Sequence, residues 1–171
     1  MAITYEPIAT TTLSTAAATV TFSSIPGTYT DLVLVMRVTN SSSGSLAVLT
    51  TFNNDTGSNY SVTRVYGNGS TATSDRFSSA TAIDAGYMPG SNGTGPGTII
   101  ANIMNYSNTT TYKTVLDRWE SEAAASGSRY VVAVVGLWRS TSAITEIDLG
   151  LNGAGDFTSG STFTLYGIAS A

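Results

Sequence analysis

The sequence predicts an all-β protein: a single antiparallel β-sandwich domain over residues 1–171, jelly-roll-like, with about eight to ten strands. Three observations carry this. The stretch Ser161–Ile168, S-T-F-T-L-Y-G-I, sets Phe163 and Leu165 on one side and Thr162, Thr164 and Tyr166 on the other. That is the period of a half-buried strand. The composition is poor in charge, at 11% of residues, and rich in Thr, Val, Tyr and Gly, which suits sheet and polar turns better than helix. Turn-forming clusters also recur at nearly regular spacing between the apolar stretches.

In chain order, Ile3–Ile8 is a short strand that Pro7 confines to an edge or a strand end. Ala18–Ser24 alternates, with Val20 and Phe22 on one face, before Ile25-Pro26-Gly27 turns the chain. Thr30–Thr39 has Leu32 and Leu34 on one face and Val33 and Val35 on the other, which predicts a central strand covered on both sides. Leu46–Phe52 and Tyr60–Tyr66 flank Asn53-Asn54-Asp55-Thr56-Gly57, dense turn chemistry that reads as a hairpin. Gly67–Ala80 is small and polar and predicts a surface loop; Thr81–Met88 follows as a strand, and Pro89–Gly97 as a second loop. Thr98–Tyr106 and Tyr112–Ser121 form a hairpin across Ser107–Thr111. Helix competes only at Leu116–Ala125, where strand is expected to about Ser121 and a loop or single turn through Ser128. Arg129–Arg139 is apolar on both faces and is the best central-strand candidate in the second half; with Thr30–Thr39 it leaves surplus apolar surface for self-association. Ala143–Leu151 and a Gly-rich turn, Asn152–Gly160, lead into the closing strand.

The chain has no cysteine and no histidine, which removes thiol nucleophiles, the commonest general base and the usual zinc or copper ligands. No cofactor and no metal is expected, and the chain is not read as an enzyme. The net charge of −4 includes one lysine, Lys113, and no basic cluster, so nucleic acid is not an expected partner. The N-terminus lacks a charged-then-apolar leader, and no apolar run reaches the roughly 18 residues of a membrane span.

Several groups invite a functional reading and each has a plainer one. Asp55-Thr56-Gly57-Ser58 spells the motif of aspartic proteases, whose chemistry needs two such aspartates sharing a proton; the chain has one copy, and it reads as a turn. Glu120/Glu122 and Glu146/Asp148 are i, i+2 carboxylate pairs, able in principle to flank a glycosidic bond or hold calcium, and read as solvent-facing strand surface. Gly67-Asn68-Gly69 lacks the third glycine and the helix that phosphate binding needs, and reads as a turn. Asn-x-Ser/Thr triplets, such as those at Asn40, Asn59, Asn68, Asn92, Asn105 and Asn108, arise readily in a chain nearly a third Ser and Thr. Trp119 and Trp138 would stack on sugar rings if exposed, but their apolar strands predict a core or subunit-interface role.

Five ordered segments, Ser14–Val35, Phe52–Ser61, Ile103–Leu116, Gly136–Leu149 and Ser161–Ile168, resemble a family of tailed-bacteriophage virion proteins common in cyanophages and other marine phages. The Gly67–Gly97 loops and Glu122–Ser128 diverge from it. The resemblance implies a sandwich-fold virion part without enzyme activity. The closing strand lies three residues from the last residue, which leads to the expectation of a standalone unit on the capsid surface: a decoration or cement protein that bridges shell subunits. Its expected partners are the major capsid protein and further copies of itself, as a homotrimer. The alternative is a tail or collar module that binds host glycans through the Gly67–Gly97 loops.

Overall fold

The computed structural model describes residues 4–91, 95–122 and 129–169, with the side chains of residues 121, 122 and 129 left aside. Among these residues the chain forms twelve strands and no helix: β1 (Tyr5–Thr12), β2 (Val20–Phe22), β3 (Asp31–Val38), β4 (Leu46–Phe52), β5 (Tyr60–Gly67), β6 (Ala72–Ala80), β7 (Ile83–Met88), β8 (Gly97–Met104), β9 (Lys113–Glu122), β10 (Arg129–Trp138), β11 (Ile147–Leu151) and β12 (Thr162–Ile168). They make two antiparallel sheets packed as a sandwich. One has eight strands in the order β1-β12-β3-β8-β9-β10-β5-β6; the other has four, β2-β11-β4-β7.

The core lies between the sheets and follows from alternation. On β3, Leu32, Leu34, Met36 and Val38 are wholly buried, and on β12 Phe163 and Leu165 are. They meet Phe22, Phe52, Ile83, Ile147 and Leu149 of the smaller sheet in one continuous cluster. Each such side chain contributes roughly 1.5–3 kcal/mol on leaving water. The closing strand is therefore an inner strand, paired to β1 on one side and β3 on the other. Pro7 sits where expected, on edge strand β1, where the register shifts between Pro7 and Ala9. The β8–β9 hairpin also forms as predicted.

The structure corrects three local expectations. Leu46–Phe52 and Tyr60–Tyr66 do not pair: β4 belongs to the small sheet and β5 to the large one, so residues 53–59 form a corner between sheets. The corner is held from both ends, since Tyr60 Oη accepts from Phe52 N at 3.0 Å and donates to the Asp55 carbonyl at 2.9 Å. Asn53 and Asn54 take left-handed φ values of 53° and 56°, a conformation that asparagine tolerates. The second correction concerns Gly67–Ala80, predicted as a loop. Only the turn after Gly67 is one, and β6 pairs along the length of β5 as the outermost strand. An edge strand with solvent beside it needs no apolar alternation, so it left no pattern to read.

The third correction concerns Thr30–Thr39, predicted to be covered on both faces; Arg129–Arg139 is the central strand expected. Strands β3 and β10 are both inner strands of the large sheet, yet among the described residues no layer covers the sheet's outer face. On β3 that face carries buried Val33, half-buried Val35 and exposed Arg37. On β10 it carries Val131 and Val135, 72% and 49% exposed, while Val132, Val134 and Trp138 are buried inside. Helix does not displace strand at residues 116–122, which belong to β9; residues 123–128, where a loop or single turn was expected, lie outside the described residues.

Candidate functional site

The sequence candidates separate cleanly once placed. Asp55 is a corner residue, on the segment between β4 and β5. Its carboxylate accepts from Trp138 Nε1 at 2.7 Å, from Gly57 N at 2.9 Å and from Asn59 Nδ2 at 3.0 Å. The indole bond is the chief reason its pKa lies below the ordinary carboxylate value. Trp138 is 2% exposed and packs with Phe52 and Tyr60, so it is a core residue.

Asp148 accepts from Thr21 Oγ1 at 2.7 Å and Glu146 from Asn54 Nδ2, so these carboxylates hold strand β2 and the corner. Glu120 stands exposed on the outer face of the large sheet; the side chain of Glu122 lies outside the described residues. Among the described residues no group of three or more acidic side chains is placed to hold a metal ion.

The asparagines of the sequons serve turns. Asn40 is fully buried, donating to the Met88 and Pro89 carbonyls and accepting from Ser42 N. Asn59 holds Asp55; Asn68 and Asn108 each accept from the two residues that close their turns, Ser70 and Thr71, and Thr110 and Thr111. Asn105 takes a left-handed φ of 55°, and Asn92 lies outside the described residues. Gly67-Asn68-Gly69 is thus the start of the β5–β6 turn.

Trp119 is a core residue as well, as its apolar strand predicted, and it also lines a cavity. It is 7% exposed and forms part of a cleft of about 300 Å³ at the open mouth between the sheets. Tyr66, Val132 and Trp119 face one another in a single cross-strand row on β5, β10 and β9. Tyr130 and Arg64 flank this row, and Tyr87 of β7 and Ser45 complete the lining. The Tyr87 and Trp119 rings lie 6.0 Å apart, tilted by 47°.

Strand β7 is bent to make this arrangement. Its register with β4 shifts between Val48 and Leu49, which face Gly86 and Asp84, leaving Ala85 as the extra residue of a bulge. Gly86 has a φ of 137°, and a Cβ there would stand 2.3 Å from Trp119 Cδ1. Glycine is required at that position, and the indole lies directly against the backbone because of it.

The cleft's cation is neutralised in place. Arg64 Nε donates to Asp75 at 2.7 Å and Nη1 to Asp84 at 2.7 Å, with its side chain only 13% exposed. Its guanidinium also lies 5.0 Å from the Phe77 ring centre and within 6 Å of Tyr66 and Tyr87. Burial alone would lower the Arg64 pKa, but the hydrogen bond to Asp75 and the charge of Asp84 outweigh it. Burial raises the pKa of Asp84, partly offset by Arg64.

One strand row behind, Asp117 sits opposite Val134 and Ala101, fully buried, with both carboxylate oxygens unpaired among the described residues. Burial, with a contribution from Asp84, drives its pKa well upward. At the other end of β9, Lys113 is also buried, its Nζ donating to the carbonyls of Thr111 and Thr141 at 2.8 and 3.3 Å.

Sequence reasoning found Trp119 but not its partners. Arg64, Tyr66, Tyr87 and Tyr130 come from three strands and share no local motif. No protein-family model, curated protein or solved structure matches this chain, so the site is described by its geometry alone.

Proposed function

We propose that this chain is a structural protein of a tailed-phage virion: a decoration or cement protein, with a jelly-roll-like sandwich, that sits on the capsid and bridges shell subunits. The observation that carries the reading is the bare outer face of the eight-stranded sheet. Val131 and Val135 of β10, Val65 of β5, Leu116 of β9 and Met104 of β8 all expose large apolar side chains. The register puts Leu116 beside Val135, and Val65 beside Ala133 on that same face. A contiguous apolar face on a sheet is an interaction surface by default. The face also carries Arg37, Arg76, Arg118 and Glu120, with Arg118 in the row of Ala133 and Val65 and Glu120 beside Val131, so a partner must supply charges that pair with them.

The five segments that resemble phage virion proteins supply the biological setting, and the same face serves self-association into a homotrimer. Purified virions, probed by immunogold labelling and by protein copy number relative to the major capsid protein, test the reading. Label distributed over the head, with copies in proportion to shell subunits, is the expected result. Label confined to the tail or collar, at a few copies per particle, would replace it with the second reading, a receptor-binding module. The aromatic cleft is the observation that favours that second reading.

A further inference from the structure

The geometry points to the cleft between the sheets as a binding site for a neutral saccharide, seated as a single pyranose-sized ring against Trp119, Tyr87 and Tyr130. The cleft volume of about 300 Å³ is at the small end of ligand sites, enough for one ring and its substituents. Its walls are amphipathic in the way such a ring is. Tyr130 and the parts of Trp119, Tyr66 and Tyr87 left open by Gly86 and Arg64 line it with apolar ring surface suited to the C–H groups of a sugar. The phenol hydroxyls and the Ser45 hydroxyl among the lining residues are suited to its hydroxyls.

Charge decides the class. Arg64 is the cleft's cation, and two carboxylates already engage its Nε, Nη1 and Nη2. A phosphate, sulfate or sialic acid would meet no free positive charge among the described lining residues. The bulge adds an independent argument. Strand β7 gives up regular pairing at Ala85 and a side chain at Gly86, and in return Trp119 packs on the backbone with Tyr87 beside it. Bulges that re-aim side chains cluster at functional sites. The inference does not depend on the capsid placement, because a shell protein or a tail module could equally carry such a cleft.

The test uses the purified full chain against an immobilised panel of neutral, sialylated and sulfated oligosaccharides, followed by calorimetric titration of the best neutral binder. Saturable binding of a neutral saccharide is expected, weakened by at least about tenfold in Tyr130→Ala and in Tyr87→Ala. Tyr130→Phe, which keeps the ring and removes the hydroxyl, should retain most of the affinity, which guards against loss through misfolding. Tryptophan emission gives a second readout: the ligand-induced change should vanish in Trp119→Phe, where only the enclosed Trp138 remains. No binding of any neutral glycan at millimolar concentration would overturn the proposal. So would binding unchanged in both tyrosine-to-alanine variants, preferential binding of charged glycans, or a proline-rich peptide occupying the cleft where saccharides do not.

Discussion

Two aspartates in this chain have pKa values shifted in opposite directions, and each gives stability an opposite dependence on pH. Asp55 holds the corner between β4 and β5 as a carboxylate bonded to Trp138, Gly57 and Asn59. Replacing it by alanine should cost about 1–3 kcal/mol in chemical denaturation at neutral pH, the usual range for hydrogen bonds to a charged group. Because its folded pKa is depressed, its contribution is present above the ordinary carboxylate pKa and is lost as pH falls through the folded value. Asp117 works the other way. The folded state holds its proton where the unfolded chain releases it, so stability falls as pH rises from the ordinary carboxylate value through the raised one. Asp117→Asn cannot ionise, so it should melt higher than the parent at about pH 8 and converge with it at about pH 4. A melting difference independent of pH would show that Asp117 is not the group responsible.

At the scale of elements, the bulge in β7 is the most demanding piece of backbone. Gly86→Ala adds a Cβ 2.3 Å from the Trp119 ring at a φ that L-residues rarely adopt. It should lower unfolding free energy by about 2–4 kcal/mol, combining overpacking with backbone strain, and urea titration checks it. Elements with strong alternation were legible in advance. The wholly buried Phe163 and Leu165 of β12, and the turn between β8 and β9, followed from pattern and turn chemistry alone. Strand β6 was not legible, because Ala72–Ala80 is exposed along nearly its whole length and carries no periodic apolar face. The β4–β5 corner was misread for a different reason. Asn53 to Gly57 are ideal hairpin residues, and what turns them into a corner is distant: Trp138 holding Asp55, and Ala143 and Thr145 bonded to Asn53. The cleft depends on such distance even more, since cross-strand register alone brings Tyr66, Val132 and Trp119 into one row.

At the scale of the whole molecule, the two faces of the large sheet differ: the inner face makes the core, and the outer face is the one proposed to meet another protein. Leu116→Glu combined with Val131→Lys, which sets a cation opposite Glu120, should therefore leave unfolding free energy within about 0.5 kcal/mol for each exposed site while abolishing self-association. Sedimentation velocity at several concentrations measures the second effect; a parent that is monomeric throughout would remove the trimer from the proposal. The pairing of the first and last strands has a mechanical consequence. Tyr5 stands opposite Ile168, so both strands present these ends at the same corner of the sheet. Tension applied between residues 5 and 168 would pull perpendicular to the β1–β12 ladder and break its hydrogen bonds one after another, not all at once. Each bond is worth little alone, so β1 should peel away at low force while the sandwich behind it stays folded. Optical-tweezer extension traces would show this as a short early step ahead of the main rupture. Load carried through the sheet faces bypasses that seam, which makes the molecule far better suited to being clamped between neighbours than to being used as a tether.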